Sequence, residues 1–309
     1  MSETLLQLED VVVHHRTDPT GFFGLWGAKP VRTLDGVSLT ITRGETLGIM
    51  GGSGAGKTTL SEVACLRRPI ERGRILLQGE DVRKLDRKRA QRRLQMVRQD
   101  ARETLELDQS VQKQLSAKVR EFGLPDGEGR IHRALTQVGL PPEEFLDRTP
   151  AAMSGGQQQR LAIARALVLN PLMIALDEPV SGVDPHLQLD LMRLLERVQR
   201  EQGIAYLLIS HDVKVISRLA HRVAVFHDGK LFELGPTQKV MGDPAHPYSR
   251  LFYGKDGLLP AEEDRAGRTR QGCPWAPHCA LVTDRCRTES PALRELNPGH
   301  AVACHEVAR

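Results

Sequence analysis

Residues 46–50 form a short apolar run that passes directly into Gly51, Gly52, Ser53, Gly54, Ala55, Gly56, Lys57 and Thr58. A helical pattern follows over residues 58–65. This junction limits the fold more than any other part of the chain. Its residues fit G-x-x-x-x-G-K-[ST], and a strand, a glycine-rich loop and a helix in succession are the setting in which that pattern holds phosphate. Glycines let the backbone curl until successive N–H groups point at phosphate oxygens. Lys57 is then expected near the β- and γ-phosphates, with the Thr58 hydroxyl on Mg2+ and Thr59 in the same phosphate-facing turn.

A loop of this kind needs a parallel sheet behind it. Residues 172–176 and 204–209 are short apolar runs that read as buried parallel strands. Residues 5–13 read as a first strand, 31–41 as a strand pair, and 19–30 as a broken loop rich in Gly, Pro and aromatics. The basic run at 82–93 reads as a solvated helix leading into a strand at 94–97. It has no interspersed aromatics, which argues against a nucleic-acid surface there. Residues 105–146 are helical and amphipathic, broken at 123–129 and 141–142, and another helix spans 157–169. Strands then alternate with helices to about residue 234, so the expected class is α/β with a helical insertion.

Composition narrows the function. A chain of 309 residues suits one large domain with a small appendage. Its 43 basic residues against 39 acidic leave a charge of +4, a balance that calls for no nucleic-acid partner. No run approaches the ~20 apolar residues that cross a bilayer. The opening residues lack a basic region followed by an apolar one, so no secretory signal is expected and the chain is expected in the cytoplasm.

The run at 172–176 ends in Asp177 and Glu178. A carboxylate at a strand end beside a phosphate loop can hold Mg2+, a role for Asp177. Its neighbour Glu178 is placed to orient or deprotonate an attacking water. Between loop and carboxylates lie Met153, Ser154, Gly155, Gly156 and Gln157, running on to Arg160. A helix N-terminus stripped of side chains can approach an anion closely. This stretch resembles the signature sequence of ABC ATPases, with Met153 where Leu is commoner.

The other motifs of that family occur in order. Gln99 matches the Q-loop glutamine that contacts Mg2+, and Ser181 to Asp184 matches the D-loop, with Asp184 facing a partner subunit. His211, after a buried strand, matches the switch histidine that contacts the γ-phosphate. The resemblance implies that the signature binds nucleotide held by the opposite subunit, so hydrolysis needs a dimer. The family stacks adenine on an aromatic residue. Here His15 holds the matching position, and Phe22, Phe23 or Trp26 could substitute. The Q-loop also departs from peptide importers, which commonly carry an aromatic before the Gln and a Pro after the Asp.

The implied organisation is an ABC-type P-loop NTPase core over residues 1–242, with a helical subdomain over about 100–165. A small irregular extension containing cysteines follows over 243–309. His246, Pro247, Tyr248 and Ser249, with the cysteine-bearing stretch beyond, make this tail similar to that of oligopeptide/dipeptide/nickel importer ATPases. The resemblance therefore implies Mg-ATP hydrolysis at the cytoplasmic face of the membrane, energising import of peptides or a related solute such as nickel. The implied partners are two membrane permeases, an extracytoplasmic binding protein, and a second ATPase that is either a different chain or another copy. An exporter ATPase shares the core motifs and lacks the tail. A soluble ABC ATPase acting on nucleic acid or ribosomes would call for tandem domains or a coiled coil, which the sequence lacks.

Cys273, Cys279, Cys286 and Cys304 are spaced C-x5-C-x6-C-x17-C in a segment poor in apolar residues. A bound metal could supply folding energy there. Four cysteines suit a [4Fe–4S] cluster or tetrahedral zinc, although zinc sites usually pair cysteines more closely; unligated thiols are the third reading. Family members with these cysteines are thought to carry the cluster. His278, His300 and His305 read as surface or core histidines.

Overall fold

The computed structural model describes residues 3–15, 31–256 and 271–307. The chain starts with β1 (Thr4–His15), β2 (Val31–Thr42) and β3 (Thr46–Gly51), then α1 (Lys57–Ala64), β4 (Arg72–Leu77) and β5 (Glu80–Asp81). Helix α2 (Arg87–Arg93) leads into β6 (Leu94–Val97). Four helices follow before the chain returns to a strand: α3 (Val111–Glu121), α4 (Gly127–Gln137), α5 (Pro142–Phe145) and α6 (Gly155–Leu167). The alternation resumes with β7 (Met173–Asp177), α7 (Pro185–Gln202), β8 (Ala205–Ile209), α8 (Val213–Leu219), β9 (Arg222–His227) and β10 (Lys230–Pro236). The tail carries α9 (Thr237–Gly242), α10 (Pro247–Phe252), α11 (Asp284–Thr288), β11 (Arg294–Asn297) and β12 (His300–Val302).

Two sheets result. The smaller runs β2-β1-β4-β5 and is antiparallel. The larger runs β11-β12-β10-β9-β3-β8-β7-β6. Its centre, β9-β3-β8-β7-β6, is parallel. Alternate residues of the central strands enter opposite cores, as a period of two requires. Ile174, Leu176 and Leu208 join the helices on one side, while Met173, Ala175 and Leu207 face β1, β2 and α1 on the other. Burial on both faces is why these strands are continuous apolar runs in the sequence.

The expected strand pair at 31–41 is one strand. Gly36, within it, has φ +74, and the pairing of β2 with β1 steps from Val11↔Val37 to Val12↔Asp35. It is therefore the extra residue of a β-bulge, where a left-handed backbone costs glycine nothing. The basic run forms α2 as expected, with Arg87, Lys88 and Arg89 exposed and Ala90 alone buried. The expected loop at 19–30 lies outside the described residues.

The tail has more order than its composition suggests. Strand β12 pairs with β10 through Glu233↔Val302 and Leu234↔Ala301, and β11 completes a hairpin on the sheet edge. Tyr248, Trp275, Cys273 and Cys286 enter the same core as Ile174 and Leu208. At their junction His246 caps α10, its Nδ1 accepting the Tyr248 amide at 3.0 Å while its ring stacks on Phe232 at 4.4 Å. Burial, aided by nearby His227, pushes the His246 pKa down from 6.5 to about 3.

The sign of the pH effect follows. Between those two values the unfolded chain takes a proton that the folded chain refuses, so stability falls as pH falls through this window. A His246→Asn variant, which keeps a capping acceptor, should lose stability less steeply over the same window. Thermal midpoints of both proteins measured between pH 7 and about pH 4 check this; parallel slopes would refute it.

Candidate functional site

The parallel pairing of β6, β7, β8 and β3 aligns their C-terminal ends, since Val97 faces Leu176, Asp177 faces Ile209, and Ile209 faces Ile49. Loops that leave such ends share one edge, where open α/β sheets bind their ligands. The phosphate loop, Gln99, the pair Asp177 and Glu178, and His211 therefore arrive together from four separate strands.

The phosphate loop is shaped by what its glycines leave out. A Cβ on Gly51, at φ +149, would lie 2.2 Å from the Phe226 carbonyl oxygen. One on Gly56, at φ +99, would lie 2.3 Å from that of Thr33. Backbone closes both positions to any side chain. Gly56 also caps α1 without a side chain, so the first amides of that helix keep the N-terminal partial charge that suits an anion. Lys57 Nζ donates to the carbonyls of Gly51 and Gly52, both at 2.8 Å, folding back across the loop. This cradle fits a nucleotide phosphate.

The Thr58 hydroxyl donates to Asp177 Oδ2 at 3.3 Å. Asp177 is buried, and its pKa is raised chiefly by that burial. The Thr58 hydrogen bond and the charge of Lys57 act against the rise, and the charge of Glu178 adds to it. A hydroxyl and a buried carboxylate side by side are the oxygen donors a divalent cation takes, and such a cation would favour the ionised form.

Glu178 has φ +49, an uncommon conformation for a residue with a side chain. Such backbone costs about 1–3 kcal/mol and is held by its surroundings. Here the Glu178 amide donates to the Ile209 carbonyl at 3.0 Å. The carboxylate receives the Ser210 hydroxyl at 3.2 Å and the His211 amide at 2.9 Å. His211 Nδ1 lies 2.7 Å from Oε1, and its ring is largely exposed. The predicted base and the predicted switch histidine are thus in direct contact.

Gln99 is exposed two residues beyond β6. Ser154 and Gln157 form a capping box at the head of α6, with Ser154 and Gly155 exposed and Gly156 partly so. Open space surrounds a Cβ placed on Gly155. Asp184 caps α7 by accepting the His186 amide at 3.0 Å. The signature and Asp184 therefore present an open surface. His15 ends β1, but its side chain, like Phe22, Phe23 and Trp26, lies outside the described residues.

The four tail thiols converge. Cys273, Cys279, Cys286 and Cys304 line one small cavity, and all are free. Burial pushes Cys273 up to about 11, and the charges of the other three thiols add to the rise. Among the described residues, no group of three or more His, Cys, Asp or Glu is arranged to hold a metal ion. Neither the [4Fe–4S] reading nor the zinc reading therefore finds a formed coordination group among the described residues.

Sequence reasoning missed two contributors. Tyr248 donates nothing to the phosphate loop but accepts the Gly52 amide at 3.0 Å, from 196 positions away. Ser210, part of the Glu178 network, follows β8 directly and carried no motif signal.

Comparison with known proteins agrees with this geometry. The family model described as ABC transporter matches residues 34–181. A probable peptide ABC transporter ATP-binding protein of Sinorhizobium fredii is 36% identical across 99% of this chain and 90% of its own length. The oligopeptide transport ATP-binding protein AppF of Bacillus subtilis is 34% identical across 98% and 97%. Among solved structures, cbiO1 of Clostridium perfringens, part of the ABC transporter complex cbiONQ, superposes with a TM-score of 0.66. It is 27% identical and covers 78% of this chain and 92% of its own. The ATP-binding cassette MJ0796, a dimer bound to ADP and Pi, gives 0.63 at 25% identity over 75% and 99%.

Proposed function

This chain belongs to the ABC transporter ATP-binding family, and from that premise we propose that it is the ATP-hydrolysing subunit of a peptide importer. Likeness along nearly its whole length to peptide and oligopeptide transport ATP-binding proteins carries the reading, because it includes the tail that exporters lack. Among the described residues no helix is long and apolar enough to cross a membrane. We therefore assign the membrane path to two permease subunits, place this chain against their cytoplasmic face, and give cargo capture to an extracytoplasmic binding protein.

The residues divide the chemistry as follows. The amides from Ser53 to Thr59 and the Lys57 ammonium bind the phosphates. Thr58, Asp177 and Gln99 would hold Mg2+, which supplies charge neutralisation on the phosphate oxygens when bound. Glu178 orients the water whose oxygen attacks the γ-phosphorus and takes its proton as the bond to the β–γ bridging oxygen breaks. His211, already joined to Glu178, reaches from the open side of the pair toward the γ-phosphate. Ser154, Gly155, Gly156, Gln157 and Asp184 meet the nucleotide of a second ATPase, either a different chain or another copy. Adenine stacks on His15 or on an aromatic of the neighbouring loop.

The reading extends to the tail. Four thiols lining one small cavity are what favours a [4Fe–4S] cluster there. Anaerobic purification should return about four irons and four sulfides per chain. A chain folded and free of both would overturn the cluster.

Peptide uptake tests the main proposal. In the native host, Lys57→Ala should abolish growth on a peptide that supplies a required amino acid, while growth on the free amino acid continues. Normal growth on every peptide tried would remove peptide import from consideration.

A further inference from the structure

The stretch His246, Pro247, Tyr248 and Ser249 has no part in the chemistry above, yet the fold specifies it closely. Glu233, fully buried, accepts the amides of Ala245 and His246 at 2.8 and 3.0 Å. His246 accepts the Tyr248 amide, and Pro247 occupies the first turn of α10, where its missing N–H is not needed. The outcome is a rigid turn that aims one ring. Tyr248 is 2% exposed and is held by His227 at 4.6 Å, Trp275 at 5.0 Å and Phe252 at 5.9 Å between ring centres.

The hydroxyl of that ring meets the phosphate loop. It accepts the Gly52 amide hydrogen at 3.0 Å. Burial raises the Tyr248 pKa, so the oxygen remains a neutral hydroxyl. One turn later on the same segment, Tyr253 donates to Met50 Sδ at 3.1 Å. Between these two contacts Gly51 is closed against the Phe226 carbonyl. The root of the loop is thus gripped at three successive residues, and two of the grips come from the tail.

We propose that Tyr248 is a positioning residue for ATP: its hydroxyl fixes the entry of the phosphate loop in the shape that receives phosphate. A glycine-rich loop has more freedom to lose than any other backbone. A ligand that must order the loop loses affinity by that cost, and a loop already ordered binds more tightly. The tail then has a function within this chain, separate from any metal its cysteines carry. The proposal rests on the reading of residues 51–58 as the nucleotide loop. A wild-type protein that binds no ATP would defeat that reading, whereas the outcomes below concern Tyr248 alone.

The test compares Tyr248→Phe, which keeps the ring, with Tyr248→Leu, which does not. Dissociation constants for a fluorescent ATP analogue with Mg2+ are measured beside KM, kcat and the thermal midpoint. Tyr248→Phe should raise both the dissociation constant and KM about fivefold, the worth of one hydrogen bond, with kcat within about twofold. Its thermal midpoint should stay near wild type, and Tyr248→Leu should show the same KM change with a lower midpoint. Wild-type affinity in Tyr248→Phe would overturn the proposal, as would a lower midpoint and kcat with KM unchanged. Hydrogen exchange on the unmodified protein gives an independent reading. The Gly52 amide should exchange slowly without nucleotide, and exchange at the rate of an open loop would also overturn it.

Discussion

Replacing Glu178 by Gln is expected to slow ATP hydrolysis by about 10²- to 10⁴-fold, the usual contribution of a positioned base, while ATP still binds. The surroundings of the carboxylate explain why binding survives. The His211 amide donates to Oε1 at 2.9 Å, and a Gln carbonyl oxygen accepts it equally well. The Ser210 hydroxyl, 3.2 Å from Oε2, can turn to accept from the new amide group. Neither the turn at φ +49 nor the neighbouring Asp177 loses a partner. Only the capacity to take a proton from water disappears. Single-turnover hydrolysis and nucleotide binding measured on the same preparation separate the two effects. Hydrolysis within about tenfold of wild type would mean that Glu178 is not the base.

Replacing Glu233 by Ala is expected to cost at least about 3 kcal/mol, because three buried groups lose their partner at about 1–3 kcal/mol each. Glu233 is fully buried on β10 and faces His300 of β12, which is 2% exposed. His300 Nε2 lies 2.7 Å from the carboxylate, which also accepts two backbone amides. Deletion strands all three groups away from water, and each buried polar group left unmade carries its own desolvation cost. Glu233→Gln keeps an oxygen for the amides and should lose markedly less. Urea unfolding of the two variants measures the difference. Because Glu233 sets the turn that aims Tyr248, Glu233→Ala should also raise the KM for ATP.

The engine was legible from local pattern because each of its parts is local. The loop from Gly51 to Thr58 is one contiguous motif, and Asp177 and His211 each end an apolar run that could only be a buried strand. Parallel strands with aligned ends then bring those parts together without further instruction. What stayed hidden depends on distance along the chain. Tyr248 and Gly52 are 196 positions apart, and nothing in either segment announces the other. Glu233 reads as an ordinary polar interruption of a strand, and its burial appears only when β12 is laid beside β10. Strands β11 and β12 span four and three residues, too few to show a period. At Gly36 the sequence shows a turn former, and only the pairing with β1 turns it into a bulge.

The most direct measurement is recovery of partners from the native membrane. The chain is tagged, Glu178 is replaced by Gln to hold the ATP-bound state, and membranes are solubilised gently with Mg-ATP present. Two polytopic permeases recovered together with a second ATPase, or a second copy of this chain, are the predicted result. Soluble partners, ribosomes or nucleic acid alone would contradict a role in import.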